Sequence, residues 1–242
     1  MSDEIPGIWK IWNFTKSRKS NVGFLLSMAA IDVAILAPFY VIINHLMSMR
    51  GTTVFDPVTS MDLAIPFMAW TVVIYLSLFY LFYPLPLISM PNSQRGRNEA
   101  LILSQSMILL FVISNTWFVL FPAEVHLRTQ AVDGADTMHP FFLSMYEGLW
   151  SIDEPYSAWP SLHVSSALLF TLFAIRWWKD WPVRQWAIGI WWVLMSLSIL
   201  TTKQHFILDL ITGMLVMWPI WKWYIQPALD RVDIALSDEV SS

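Results

Sequence analysis

The chain has 242 residues, of which 56% are hydrophobic and 13% are charged, and its mean hydropathy is +0.53. A soluble domain carries about 25% charged residues, so this composition excludes an ordinary water-soluble enzyme and indicates a membrane protein. The net charge of −4 includes no block of like charge, which argues against nucleic acid as a partner, and the absence of cysteine excludes disulfides, thiolate nucleophiles and cysteine metal sites.

Residues 1–20 are predicted to form an N-terminal interfacial segment. Aromatic and aliphatic side chains alternate there with Lys10, Lys16, Arg18 and Lys19, a mixture typical of a short helix lying on anionic head groups. A disordered basic tail is the alternative. The first apolar stretch begins only at about Asn21 and lacks a small-residue cleavage site, so we interpret it as a retained span and not a signal peptide.

Six apolar segments then follow, each close to the 20 or so residues that a helix needs to cross the hydrocarbon core. Residues 21–226 are therefore predicted to form one all-α integral membrane domain, a six-transmembrane-helix bundle. Residues 227–242 are predicted to be a C-terminal tail. The predicted spans are Val22–Met47, Leu63–Leu87, Ala100–Phe121, Ser161–Trp178, Gln185–Thr201 and His205–Ile225.

The distribution of Lys and Arg predicts the orientation, because these residues are retained on the cytoplasmic side. With the N-terminus inside, eleven of the fourteen basic residues are cytoplasmic, and those left outside are Arg50, Arg128 and Lys203. We therefore expect a multi-pass protein with both termini in the cytoplasm. The short loops and compact length favour a bacterial inner membrane, with an organelle membrane as the alternative.

One long loop, residues 122–159, lies on the predicted outer side. Within it, residues 140–150 combine aromatic residues and Leu with few charges. Long ordered loops usually serve function, and this composition is typical of a helix in the membrane interface. We expect an interfacial helix that roofs a cavity.

Three polar elements meet at this outer face, one in the long loop, one at the start of the fourth span and one at the start of the sixth. They supply two imidazoles, one carboxylate, one hydroxyl and two cations, a set of groups suited to binding and transferring a phosphate. The residues are Arg128, Ser161, His163, Lys203, His205 and Asp209.

Within this set, His205 and Asp209 are four residues apart and share a helical face. The carboxylate can accept a hydrogen bond from one imidazole nitrogen and leave the other free, which makes His205 a candidate nucleophile or base. The alternative is a polar pair that only packs against a neighbouring helix. Ionisable groups inside membranes are usually functional, which favours the first interpretation.

The start of the fourth span also suits an anion. Pro160 is tolerated at a helix start, and the backbone amides that follow lie at the positive end of the helix dipole. Ser161 adds a hydroxyl, and His163 can donate a proton to a leaving oxygen. Arg128 can clamp two phosphoryl oxygens and Lys203 can add a point charge. Taken alone, this motif is weak, and the two cations are equally typical of exposed loop residues at lipid head groups.

Two motifs carry a family resemblance: Pro160–His163, which reads Pro-Ser-Leu-His, and Lys203–Gly213, which reads Lys-Gln-His-Phe-Ile-Leu-Asp-Leu-Ile-Thr-Gly, about forty residues later. They resemble the type-2 phosphatidic acid phosphatase superfamily, including its branch related to inositol phosphorylceramide and sphingomyelin synthases. The resemblance covers roughly Ala100 to Ile225.

This resemblance implies a phosphohistidine mechanism. His205 would attack phosphorus, Asp209 would orient and polarise that imidazole, and His163 would protonate the leaving group. The phosphoryl oxygens would be held by Arg128, Ser161 and Lys203.

The chain also departs from the family patterns. Phe121 and Thr129 stand where the first motif has Lys and Pro, Leu162 replaces the Gly of the second, and Ile199 stands where the third has Arg. Fewer cations around the phosphate resemble the synthase-related branch, in which the phosphohistidine passes to an alcohol. Whether water or a lipid-borne hydroxyl is the acceptor stays open at this point.

The expected substrate is a phospholipid or polyprenyl phosphate surrounded by membrane lipids. We expect no metal and no other cofactor, because the cations beside the His and Asp pair would repel a divalent ion. The oligomeric state is undetermined.

Two alternatives to an enzyme are a transporter or channel with an anion-binding outer vestibule, and a catalytically silent lipid-binding relative of the family. Asp32, Glu99 and the Ser114–Thr116 cluster are predicted to form interhelical hydrogen bonds.

Overall fold

The computed structural model describes residues 7–241, so the first part of the predicted interfacial segment lies outside the described residues. Within that range the regular structure is helical, with no β-strand. The α-helices are α1 Asn13–Lys16, α2 Asn21–Arg50, α3 Ser60–Ala64, α4 Val72–Tyr75, α5 Pro86–Ser89, α6 Gln94–Leu120, α7 Arg128–Asp133, α8 Pro140–Trp150, α9 Leu162–Trp177, α10 Pro182–Thr201, α11 Ile207–Ile220 and α12 Gln226–Ser241.

Among the described residues, three helices are long and apolar enough to cross a membrane: α2, α6 and α10. Local sequence sets their ends. The Ser20 and Ser93 hydroxyls accept from the backbone N–H of Gly23 and Gly96 and so cap α2 and α6. Gly51 ends α2 with φ of +57°, a conformation that glycine adopts without a Cβ penalty. The fold class is therefore all-α with candidate membrane spans, as predicted, while the count of six stays a prediction.

The second predicted span is not one continuous helix. Between α3 and α5 the chain passes through a 3₁₀ turn at Ala69–Thr71, then α4, then a π-helical turn at Leu78–Phe82. Pro66, Pro84 and Pro86 lie along this stretch, and a proline removes a helix hydrogen bond and clashes with the preceding turn. The predicted continuity was wrong because these prolines interrupt the ladder, and the broken segment forms part of a cavity wall.

Helix α6 lies at the centre of the protein, in contact with α2, α9, α11 and α12. Two predicted interhelical bonds are present: the Ser104 hydroxyl donates to Asp32 on α2, 2.6 Å away, and Glu99 accepts from Arg176 and Trp177 on α9. For the Ser114–Thr116 cluster the prediction was wrong. The Ser114 hydroxyl is buried without a partner, and the other two side chains bond to carbonyls of their own helix.

The two polar helix starts are brought together by close packing of α9 against α11. Gly213 on α11 faces the first turn of α9, where a Cβ atom would lie 2.8 Å from the Ser161 carbonyl oxygen. Just beside it, the Ser161 backbone N–H donates to the Asp209 carbonyl at 3.1 Å. Since no side chain intervenes, the N-termini of both helices lie side by side.

The segment predicted as a C-terminal tail is helical as far as Ser241. Ala228, Leu229 and Val232 are buried in the main hydrophobic core, together with Trp12 from the N-terminal segment. Parts of both terminal segments therefore pack into the same hydrophobic core.

Candidate active site

The first element of the site is a buried histidine and carboxylate at the start of α11. One carboxyl oxygen of Asp209 lies 3.1 Å from His205 Nδ1 and also accepts the Phe206 backbone N–H at 2.8 Å. When Asp209 is ionised it can only accept, and this contact then requires the proton of His205 on Nδ1. Asp209 is fully buried and His205 is nearly so. The predicted contact between the two residues is therefore present and leaves His205 Nε2 available for chemistry, but the prediction of one shared helical face was wrong, because His205 precedes the Phe206 N-cap of α11.

His163 lies in the first turn of α9 and faces His205. The two ring centroids are 5.7 Å apart in an edge-to-face arrangement. On its other side, His163 stacks on Tyr75 with centroids 4.3 Å apart, and the Tyr75 hydroxyl makes a long 3.4 Å contact with His163 Nδ1. The Nε2 atom of His163 is buried without a protein partner. This nitrogen is thus free to donate to a bound group.

Both histidines line one end of a cavity of about 900 Å³. Apolar side chains from α2, α6, α8, α9 and the broken 76–87 segment form most of its wall. Some of those side chains, including Val33 at 64% and Phe79 at 51%, are exposed. The cavity is therefore open at the surface that α2 and the 76–87 segment form.

The long outer loop closes this cavity on one side. The helix predicted over residues 140–150 is present as α8 with the same bounds, and Ser144, Met145, Gly148 and Leu149 from it line the cavity. The expectation of a helix roofing a cavity is thus confirmed. Its position in the membrane interface stays a prediction.

Arg128 lies near the histidine end of the cavity, and its guanidinium is already bonded within the protein. Its guanidinium forms a salt bridge with the Asp153 carboxylate, with each side chain 12% exposed, and also donates to the Asp153 carbonyl. Tyr40 donates to the same carboxylate. Arg128 Nε is buried without a partner in the protein. Asp153, not Arg128, lines the cavity.

Lys203 is fully buried and does not line the cavity. Its ammonium donates to the Asp62 carbonyl at 2.9 Å, and the Asp62 carboxylate accepts the Ile207 backbone N–H at 2.7 Å. Lys203 has φ of +59°, a left-handed conformation that costs a non-glycine residue roughly 1–2 kcal/mol. Burial lowers the pKa of Lys203 below its usual value, and the nearby Asp62 carboxylate partly offsets this shift.

Ser161 is the N-cap of α9. Its fully buried hydroxyl accepts from the Val164 backbone N–H, which satisfies one of the free amides at the helix start. Like Arg128 and Lys203, Ser161 does not line the cavity. The structure therefore brings His163, His205 and Asp209 together, while the phosphate-binding role of the other three residues stays a prediction.

Sequence reasoning missed three residues around the histidines: Tyr75, Tyr40 and Asp153. Tyr75 belongs to an apolar stretch in which nothing marks it for contact with His163. Asp153 precedes the fourth predicted span, and its acidic character next to an apolar loop was the available signal. The position of each residue beside the site depends on contacts with residues 25 to 113 positions away in the sequence.

Among residues 7–241, no group of three or more His, Asp or Glu side chains is arranged to hold a metal ion. The groups that face the cavity near the histidines are imidazoles, a carboxylate and hydroxyls. Imidazoles in such a set can transfer a proton.

The comparisons with known proteins give one match, to a family model. The model of the PAP2 superfamily matches residues 52–223, which include both histidines and Asp209. No curated protein matches the chain, and no solved structure does.

Proposed function

Because the chain belongs to the PAP2 superfamily, whose members are generally phosphatases or phosphotransferases, we propose that it is a membrane enzyme acting on a lipid phosphate ester through a phosphohistidine. The observation that carries the proposal is the facing pair of imidazoles at the end of an apolar cavity. His163 lies in the first turn of α9 and His205 just before α11, their ring centroids are 5.7 Å apart, and His205 contacts Asp209.

The geometry supports a double displacement at phosphorus. The Nε2 lone pair of His205 attacks the phosphorus, the bond to the leaving oxygen breaks, and that oxygen takes a proton from protonated His163. Asp209 accepts the Nδ1–H of His205 and stabilises the positive charge that develops on this ring. In the second half, neutral His163 removes a proton from the acceptor, whose oxygen attacks the phosphohistidine and releases His205.

The spacing of the two rings suits this role. A phosphorus atom in position for attack lies about 3 to 3.5 Å from the nucleophile, and the leaving oxygen lies about 3 Å from the acid. Two rings with centroids 5.7 Å apart are close enough for one phosphoryl group to contact both. His163 Nε2, buried and without a protein partner, is the nitrogen we assign to the leaving oxygen.

The substrate is a phospholipid or polyprenyl phosphate with its apolar tail in the cavity. The mostly apolar wall and the opening at the surface support entry from the membrane. We further propose that residues 21–226 form six passes and that the histidines lie at the extracytoplasmic face, with both termini cytoplasmic. The membrane we propose is the bacterial inner membrane. The bias of basic residues supports this orientation.

Head-group transfer to a lipid alcohol is the second candidate reaction. It is favoured because both predicted phosphate-binding cations are bonded to other groups of the protein. Arg128 is paired with Asp153, and Lys203 is held by the Asp62 carbonyl. A dianionic phosphate monoester needs more free positive charge than this site offers, whereas a singly charged phosphodiester needs less. Such a donor would leave its head-group phosphate on His205 for a second lipid.

The test is lipid turnover by purified protein in detergent with a chelator, followed by mass spectrometry of a phospholipid panel. We expect phosphate release or head-group exchange, inhibition by vanadate, and loss of turnover in His205→Ala and His163→Ala. His45→Ala is the matched control, because His45 is exposed on α2 and bonds only within its own helix. Normal turnover in both site variants would overturn the mechanism. Ion flux in liposomes without phosphate chemistry would favour a channel instead.

A further inference from the structure

A carboxyl group lies in the cavity far from the histidines. Asp32 on α2 lines the cavity, and so does Ser104 from α6. Asp32 precedes Tyr40 by eight residues on the same helix, which corresponds to about 12 Å along its axis. Tyr40 marks the histidine end, since it bonds to Asp153. The Asp32 carboxyl therefore lies about 12 Å deeper along the wall, near the middle of α2.

The bond to Ser104 does not use the full capacity of this carboxyl group. The Ser104 hydroxyl lies within 2.6 Å of both carboxyl oxygens but has a single proton to donate. Ser104 is buried, with 1% exposure, whereas Asp32 is only half-buried. One carboxyl oxygen is thus left for a group in the cavity.

A role in joining α2 to α6 does not explain why the side chain at position 32 is a carboxyl group. A hydroxyl or an amide would join α2 and α6 without an ionisable group, and a carboxyl group at this depth in a membrane is costly. Apart from the Tyr83 phenol, the neighbouring wall is formed by apolar side chains such as Met28, Leu36 and Met107. A ligand that lies along the wall must therefore offer Asp32 a polar partner to offset that cost.

We propose that Asp32 and Ser104 form a polar subsite for a hydroxyl group carried partway along the lipid tail. A hydroxyl is the fitting chemistry, because it donates to a carboxyl oxygen and adds little volume to a chain that runs along an apolar wall. The inference rests on the proposed function for the position of the phosphate. The substrate class is then a lipid phosphate ester with a hydroxylated acyl chain.

The experiment is native mass spectrometry of the full chain in detergent with synthetic phosphatidates. The lipids have stearoyl chains and differ only in a hydroxyl on one chain, placed near the glycerol, at mid-chain or at the terminal end. We expect wild type to bind the mid-chain hydroxyl lipid at least about fivefold more tightly than plain phosphatidate, the effect of one well-made hydrogen bond. The other two hydroxyl positions should give no gain.

Two variants test the residues directly. Asp32→Leu should remove the preference and bind all four lipids alike. Met28→Leu is the matched control, since Met28 lines the same wall one turn away and the exchange conserves volume; it should keep the wild-type preference. Equal binding of plain and mid-chain hydroxyl lipid by wild type would overturn the subsite, as would a preference that survives in Asp32→Leu.

If Asp32→Leu does not fold, the comparison of the three hydroxyl positions in the wild-type protein still tests the subsite. Turnover is measured separately on plain phosphatidate, so the two proposals fail independently. A mid-chain preference without turnover would contradict the proposed function alone, and turnover without the preference would contradict the subsite alone.

Discussion

Adding a methyl group at Gly213 should disturb the site without touching either histidine. Gly213 faces the first turn of α9, and a Cβ atom there would lie 2.8 Å from the Ser161 carbonyl oxygen and 3.1 Å from Val164 Cβ. Ordinary contact begins at 3.4 Å. The start of α9 must therefore move by about 0.6 Å relative to α11, the difference between 3.4 and 2.8 Å.

That movement acts on the site through Ser161, whose backbone N–H donates to the Asp209 carbonyl. Since His163 follows two residues later, the separation between His163 and His205 should change by a similar amount. A displacement of 1 Å in a catalytic group can reduce the rate about 100-fold, so about half that distance predicts roughly a tenfold loss. The overpacking should also destabilise the fold by about 1–3 kcal/mol, partly offset by up to 1 kcal/mol of helix propensity.

The assay compares Gly213→Ala with Gly189→Ala in lipid turnover and in thermal unfolding. Gly189 lies inside α10, and a Cβ atom there meets nothing within 4 Å. We expect Gly189→Ala to keep wild-type turnover and to be equally stable or slightly more stable. Wild-type turnover in Gly213→Ala would refute the argument that this contact sets the distance between the histidines.

Three further outcomes are expected. Asp209→Asn should lower turnover at least 100-fold in a folded protein, because His205 loses its carboxylate acceptor, and single-turnover kinetics would measure this. Tyr75→Phe should lower turnover less than about fivefold, since the ring stacked on His163 remains, whereas Tyr75→Ala should abolish most of it and destabilise the fold by about 3–5 kcal/mol. The folded-state pKa of Lys203 is lowered by burial, so between that pKa and about 10.5 the unfolded state binds more protons and stability should rise with pH. Thermal unfolding across alkaline pH, compared with Lys203→Met, would detect this rise.

Each of these outcomes has a result that would contradict it. Full activity in Asp209→Asn would show that His205 does not depend on the carboxylate. Equal losses in Tyr75→Phe and Tyr75→Ala would place the effect in the hydroxyl instead of the stacked ring. An identical pH dependence in Lys203→Met would remove Lys203 as the titrating group.

Features that depend on one local segment were predictable. The helix over residues 140–150 has the predicted bounds, and the predicted contact between His205 and Asp209 is present, although His205 lies just before the helix that carries Asp209. The second predicted span shows the limit of hydropathy. Its apolar composition predicted a continuous helix, but the prolines break the hydrogen-bond ladder, which average hydropathy does not measure.

Side chains near the site were harder to predict when their partners lie on other elements. Arg128 and Lys203 were expected to face a phosphate, because both are cations at the predicted outer face. In the structure Arg128 pairs with Asp153, 25 residues later in the same loop, and Lys203 donates to the Asp62 carbonyl, 141 residues earlier in the chain. Sequence spacing does not describe the path of the chain between these residues, so the partners could not be inferred.

The sequence by itself determined that this is an all-helical chain with membrane-spanning composition, and it identified the two histidines and the carboxylate. These features follow from composition, periodicity and residue spacing, all of which act within a segment. Only the tertiary structure decided that His163 stacks on Tyr75, that the cations are already paired, and that an apolar cavity with a carboxyl group at Asp32 leads away from the histidines. Those outcomes depend on how closely separate helices pack, which here is set by contacts such as Gly213 against Ser161.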